Sequence, residues 1–237
     1  MILNEIRLRH LWHKSYIRVL KGAKCNIDKS ASIRHSRIIL MPGAKLSIGP
    51  QCRLENVRIY VGFGELMLEN NVILAAKDRS CITFNIDHGS LSIRHHSKVG
   101  CRHIWIRFGG KLSIGSYTNI NEGGEIRADN SINIGSYNQI SYGVRIWDTN
   151  THNMLSASER RAITERYFPY FGYESRCPKT APIYVGDDCW IGEDTTILKG
   201  SHIGNECIIG YGTLLSGQEI PDKSRVVNER RLLITEL

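Results

Sequence analysis

An aliphatic residue returns at every sixth position through the C-terminal part of this chain: Val185, Ile191, Ile197, Ile203, Ile209 and Leu215. Glycine follows four of them, at 186, 192, 204 and 210, and small residues hold a fixed offset as Cys189, Thr195, Ser201, Cys207 and Thr213. A step of six is neither the 3.6 of an amphipathic helix nor the 2 of a strand with one wet face. It fits short strands that turn after each hexad, with the aliphatic side chain inward and the small one in a tight corner. Three hexads close a coil, and the next coil stacks on it. A single coil cannot bury its own apolar side, so the core exists only through stacking. A β-sandwich would have no reason to keep that register over six successive aliphatics.

The same step appears upstream as Ile114, Ile120 and Ile126, then, after two extra residues, Ile134, Ile140 and Ile146. Earlier still it survives as an apolar-x-apolar triplet: Leu46-Ser-Ile48, Leu66-Met-Leu68, Leu91-Ser-Ile93 and Leu112-Ser-Ile114. Composition agrees, with 22 glycines against 6 prolines, which favours turns over a helical bundle. With 41% hydrophobic and 23% charged residues the chain is neither disordered nor a membrane bundle. No apolar run reaches bilayer length and no signal peptide is expected at the N-terminus. Seven cysteines, at 25, 52, 81, 101, 177, 189 and 207, are odd in number and never in C-x-x-C spacing. That argues against a zinc ribbon or a disulfide framework and for reduced thiols used as small apolar fillers.

The net charge of +8 is uneven: residues 1–40 carry nine Lys/Arg against Glu5 and Asp28. A basic segment of this kind points to an anionic partner, either a membrane surface or an acidic glycan. Nucleic acid is not expected, since no helix-turn-helix, zinc-finger or RNP-type pattern is present. Residues 2–20 place Ile2, Leu3, Ile6, Leu11, Trp12, Tyr16 and Val19-Leu20 loosely at helical spacing among Arg7, Arg9, Lys14 and Arg18. Such a helix would either cap the open end of the solenoid, as solenoids generally require, or lie on a membrane.

The run Val185-Gly-Asp-Asp-Cys-Trp-Ile-Gly-Glu-Asp-Thr-Thr-Ile-Leu-Lys-Gly-Ser-His-Ile-Gly resembles the hexapeptide-repeat acyltransferases. The resemblance implies an all-β, left-handed parallel β-helix, assembly as a homotrimer, and acetyl-coenzyme A as co-substrate, with no metal. The expected layout is a basic N-terminal helical or capping segment over 1–24, the β-helix over 25–220 with an inserted loop 148–182, and a closing segment over 221–237.

Trp147-Asp-Thr-Asn-Thr-His152 leaves the repeat where a coil would turn, and looks like the segment that presents the catalytic histidine in galactoside, maltose and related O-acetyltransferases. The chemistry asks for such a residue. A sugar hydroxyl is a poor nucleophile at neutral pH, and an imidazole can take its proton as it attacks a thioester. The chain has nine histidines, and only His152 combines the hexad register before it with the loop after it. By the same resemblance Asn121 contacts the acceptor, and Asp129, eight residues on, accepts an acceptor hydroxyl. For coenzyme A the resemblance points to Ser141, Gly192 and Gly210, where the pantetheine arm would need small residues, and to Trp190 near the thioester. Tyr211 and Ser216 stand where the family often has Ala and Ser/Thr. Arg230 or Arg231, with Lys199 as another cation, would meet the phosphates. In the closing segment the family's Gly-x-Pro is replaced by Val227-Asn-Glu.

Loop 153–182 carries Arg160, Arg161 and Arg166, then Tyr167, Phe168, Tyr170, Phe171 and Tyr173. Aromatic faces stack on sugar rings and arginines pair with carboxylates, so the loop is a candidate for acceptor recognition or for trimer contact. Residues for a three-histidine zinc site, a P-loop, a dinucleotide fingerprint and a G-x-S-x-G elbow are all missing. The expected function is O-acetylation of a saccharide hydroxyl, for a bacterial surface glycan such as capsule, O-antigen or exopolysaccharide, in the cytoplasm or at the inner membrane face. The alternatives are N-acetylation of an amino sugar or other small amine, and a non-catalytic β-helical assembly protein.

Overall fold

The computed structural model describes residues 6–7, 14–169 and 176–229. They form nine stacked coils, each with three short strands, so that the molecule is a triangular prism with three parallel sheets as its faces. Among the described strands only the pair Ile6–Arg7 and Tyr16–Val19 is antiparallel. In a middle coil the chain runs along the first face as Glu125–Ala128, turns a corner, runs along the second as Ser131–Ile134, and along the third as Gln139–Ile140. It then turns again to begin the next coil at Arg145–Trp147. This is the arrangement of a left-handed β-helix with a long inserted loop.

The hexad reading accounts for the packing. Val185, Ile191, Ile197, Ile203, Ile209 and Leu215 are all buried and stack inside the prism, as do the Ile114 and Ile134 series upstream. The small residues at the fixed offset are buried too, and their hydroxyls and thiols satisfy corner carbonyls. Thr213 Oγ1 donates to the Gly210 carbonyl at 2.7 Å, Ser201 Oγ to that of Leu198 at 2.7 Å, and Cys189 Sγ to that of Gly204 at 3.1 Å. An apolar residue there would forfeit these corner hydrogen bonds, although the Gly210 and Leu198 carbonyls also accept from backbone N–H groups. Each strand hydrogen-bonds to the strand one coil away, as where Ile132 faces Ile183 and Ile134 faces Val185 across the inserted loop. The solenoid therefore resumes in perfect register after the insertion.

Two boundaries differ from the sequence expectation. Tyr16–Val19 is a strand of the first coil, with Ile17 and Val19 buried, not the end of a helix. Its alternation of half-buried and buried side chains has period two, and its partner Arg37–Leu40 supplies the pairing that the sequence window could not display. Ile6–Arg7, also within the expected helix, is a strand paired with Tyr16–Val19, and residues 1–5 and 8–13 lie outside the described residues. At the other end the strand Arg225–Val226 continues the third face past residue 220.

The cysteines behave as fillers. All seven are free thiols, Cys52, Cys101, Cys189 and Cys207 are buried, and Cys177 is exposed. Burial pushes the Cys101 thiol up to about 12 and the Cys189 thiol up to about 11, so at neutral pH both stay in the unreactive thiol form. Iodoacetamide on the folded protein should therefore label Cys177 first and reach the four buried thiols only after denaturation. Rapid native labelling of Cys101, read by peptide mass spectrometry, would contradict this packing.

Candidate active site

The loop that carries His152 departs from the end of the strand Arg145–Trp147 and returns at Ile183–Val185. Its two ends are tied together and to the coil beneath. Asn150 N–H donates to the Lys179 carbonyl at 3.0 Å, Ala181 N–H to the Asp148 carbonyl at 3.0 Å, and Thr149 bridges Thr180. A long insertion on so closed a base costs little in ordering its stem, because the solenoid on both sides is already rigid.

The anchor is polar and buried. Asp148 spreads its two carboxylate oxygens over the backbone N–H groups of Asp129 and Asn130, each at 2.8 Å. Asp129 in turn takes both arms of Arg107, at 3.0 and 2.8 Å, and the hydroxyl of Thr149 at 2.7 Å. Thr149 Oγ1 then accepts from Thr151 N–H at 3.0 Å, one residue before His152. A bidentate guanidinium–carboxylate pair with two further partners holds its geometry far better than an exposed ion pair does. Beside it Arg127, paired with Glu125, lies over the rings of Trp147 and Trp105 at 4.7 and 5.2 Å, backing the strand from which the loop leaves.

His152 is exposed on this anchored stem and opens on a shallow cleft with Asn150, Asn153, Met154, Leu155 and Arg160. Arg160 belongs to a helix, Ala157–Tyr167, that the sequence expectation did not include. Ser156 caps it, accepting from Glu159 N–H while the Glu159 carboxylate accepts from Ser156 N–H. The Ser156 hydroxyl, donating to the Glu159 carboxylate at 2.7 Å, and then the Ser156 N–H hold that carboxyl below its ordinary value. The Ser-x-x-Glu capping box was the readable signal for this helix. The helix buries no side chain, so it offers Arg160 and its neighbours to whatever enters the cleft. Tyr170, Phe171 and Tyr173 lie outside the described residues.

Burial pushes the Asp148 carboxyl above its ordinary value; the two amides it accepts from oppose that rise, and the nearby Asp129 charge adds to it. A carboxyl raised on folding contributes stability that is complete below about pH 4, its unfolded value, and is lost as pH climbs through the raised one. Asp148→Asn removes that titration and leaves one amide without its acceptor. The substitution should cost about 1–3 kcal/mol near pH 4, with the gap to the native protein narrowing as pH rises. Urea unfolding at a series of pH values measures it, and a gap that widens with pH contradicts the assignment.

The other expected residues separate into groups. Asn121, Ser141, Gly192 and Gly210 form a single column at the corner between third and first faces. Each donates its N–H to a carbonyl one coil on: Ile140, Ile191, Ile209 and Val226, at 2.7–2.9 Å. Within one chain Asn121 and His152 sit at opposite ends of the first face, separated by a four-residue strand of about 13 Å. Asn121 Oδ1 accepts from Asn119 Nδ2 at 3.0 Å. A β-carbon on Gly192 would lie 2.7 Å from the backbone N of Tyr211. The stacked neighbouring coil is therefore enough by itself to require glycine there. Trp190 and Tyr211 are exposed, Trp190 on the third face between Gln139 and Ile208, and Tyr211 beside the column. Ser216 ends a first-face strand at the loop's corner, paired with Leu198, and Lys199 is the turn residue after Leu198, both away from that column. Arg230 and Arg231 lie outside the described residues.

One expectation is corrected. Asp129 does not present a carboxylate to an acceptor, because its side chain is fully buried and Arg107 and Thr149 occupy both oxygens. It anchors the loop instead. Arg107, Asp148 and Thr149 were missed, since ion pairs between residues about twenty apart become visible only once coil length is known. Among the described residues no three His, Cys, Asp or Glu converge on a metal position, and no helix is long and apolar enough to cross a membrane.

Nine stacked coils with inward hexad-spaced aliphatics and one long inserted loop define the class of left-handed β-helices. The chain matches the family model described as Bacterial transferase hexapeptide (six repeats) over residues 182–217. It is similar to the crystal structure of the polySia specific acetyltransferase NeuO, with a TM-score of 0.56 and 18% identity over 89% of this chain and 78% of that one. At that identity the likeness speaks for the fold. The polysialic acid O-acetyltransferase OatWY superposes more loosely, with a TM-score of 0.47 and 17% identity over 96% of this chain and 95% of that one. No curated protein matches the chain in sequence.

Proposed function

We propose that this protein is an O-acetyltransferase that moves the acetyl group of acetyl-coenzyme A to a hydroxyl of an acidic surface glycan, with His152 as general base. The observation that carries the reading is the exposed imidazole, held on a buried Arg107–Asp129–Thr149 anchor and opening on a cleft with Arg160. The hexapeptide repeat supports a transferase, and the fold shared with a polySia specific acetyltransferase supports an acidic saccharide. The basic N-terminal forty residues suit such an acceptor and a position at the inner face of the membrane.

In this reading the imidazole takes the proton of the acceptor hydroxyl as its oxygen attacks the thioester carbonyl. The tetrahedral adduct then collapses, the carbon–sulfur bond breaks, and the coenzyme A sulfur leaves with that proton. The Asn121–Ser141–Gly192–Gly210 column is the natural path for the pantetheine arm, with Trp190 near the thioester. Lys199, or Arg230 and Arg231, would reach the phosphates. Since column and histidine lie at opposite ends of one face, a complete site joins the loop of one subunit to the column of the next, which a cyclic homotrimer supplies.

Release of free thiol from acetyl-coenzyme A, measured with a panel of acidic saccharides, tests the reading. Acceptor-dependent release that His152→Ala abolishes is the expected result. Release that survives the substitution, or no binding of coenzyme A at all, would overturn it. Product esters should be cleaved by mild base, whereas an amide would resist.

A further inference from the structure

The corner of the prism that carries the His152 loop also carries a row of exposed aromatic rings on the coils before it. Phe63 is 62% exposed and Phe108 38% exposed, and His88 lies exposed between them. Their residues occupy the same turn in three successive coils, after the first-face strands Val57–Val61, Ile82–Ile86 and His103–Ile106. The next two coils bring Asp129 and then the loop itself. Phe63 and His88 meet at 5.1 Å, tilted by 34°, so each keeps part of a face open. Phe108 is backed by the Arg107 guanidinium at 5.2 Å, the same group that Asp129 clamps. That ring is therefore mounted on the anchor of the catalytic loop.

A second aromatic row, at the corner between second and third faces, sharpens the contrast. There His96, Tyr117 and Tyr137 stack flat on one another at 4.9 and 5.0 Å with planes within 9°. Both faces of the middle ring are taken up by its neighbours, and that corner does not carry the loop. The row at the loop's corner is different in geometry and in charge. On the aromatic coils Lys111 stands with Glu65 and with Asp87, which is bonded to His88; Lys21, Lys24 and Lys45 carry the same edge on beyond Phe63, and Arg107 and Asp129 cancel each other.

We propose that this row is an extended acceptor track, on which an acidic polysaccharide lies along the prism edge, its sugar rings stacked on Phe63, His88 and Phe108 and one hydroxyl delivered to His152. The inference rests on the transferase reading and adds the length and direction of the acceptor. One coil rises about 4.8 Å, close to the advance of one pyranose along a polysaccharide, so successive coils can seat successive sugars. Direction follows from the donor. The Ser141–Gly192–Gly210 column runs from the level of His152 toward the C-terminal coils, which leaves the N-terminal coils for the acceptor. From the Phe63 coil to the loop is four steps, about 19 Å, enough for four or five sugars. Aromatic rings on an edge with excess lysine suit a chain with apolar sugar faces and carboxylates.

The test is equilibrium binding, by fluorescence anisotropy, of end-labelled galacturonic acid and sialic acid oligomers of one to eight residues, with no acetyl donor. Affinity should climb with length and level off near five residues. In Phe63→Ala/Phe108→Ala the climb should flatten, with the octamer bound about five- to a hundredfold more weakly. Phe63→Tyr/Phe108→Trp should restore it. No length dependence in the native protein, or an alanine variant that binds the octamer normally, overturns the track. So does a changed oligomeric state, by light scattering, with binding untouched, which would make the rings a contact between copies. Thiol release separates the two ideas. Ring-dependent binding with no transfer to any oligomer sinks the transferase and keeps the track; transfer without length dependence does the reverse.

Discussion

His152→Ala should lower acceptor-dependent thiol release by about 10²–10⁴-fold, the usual worth of a positioned general base. Its effect on stability should be small, within about 0.5 kcal/mol, because the side chain is exposed. The combination is diagnostic: activity lost, unfolding midpoint kept. The loss should fall on kcat and leave binding of coenzyme A alone unchanged, since the imidazole acts on the acceptor hydroxyl. His152→Gln, which can hold a hydrogen bond but cannot accept a proton at neutral pH, should be as inactive as alanine. A glutamine variant with near-native turnover would mean that His152 orients the acceptor and that another group takes the proton.

Asp129→Ala should have the largest effect on stability, about 3–5 kcal/mol. It strips the Arg107 guanidinium of a bidentate partner in a site where little water reaches it, and it frees the Thr149 hydroxyl. Leaving a buried charge unpaired costs more than the pair itself was worth, so removing both charges should be milder. Arg107→Met together with Asp129→Leu should therefore recover much of the loss. Transfer should remain impaired in the double variant, because Thr149 no longer fixes the stem below His152. Guanidinium unfolding and thiol release, measured on both variants, separate the two roles. An Asp129→Ala protein within about 1 kcal/mol of the native one would show that the loop is not anchored through this carboxylate.

Legibility in the sequence followed the range of the interactions. The inward aliphatics and the small corner residues were readable because their requirement repeats every six residues, and the structure buries each of them. The departure of the loop after Trp147 and its return at Ile183 were readable for the same reason, as a break in that repeat. The strand Tyr16–Val19 was not. Its apolar residues also suit a helix, and only pairing with Arg37–Leu40 decides between the two. Asp129 showed the opposite failure. Its position was noticed, but whether a carboxylate faces ligand or core depends on partners that the chain brings from other coils.

By itself the sequence determined the solenoid, since a step of six with inward aliphatics has no other way to bury its apolar side, and it marked His152 by its place at the break. Only the tertiary structure decided that Asp129 looks inward to Arg107, that Asp148 and Thr149 fasten the loop, and that Asn121 and His152 stand at opposite ends of one face. The reason is geometric. A coil is about twenty residues around, so groups that touch across coils are distant along the chain and carry no local signature.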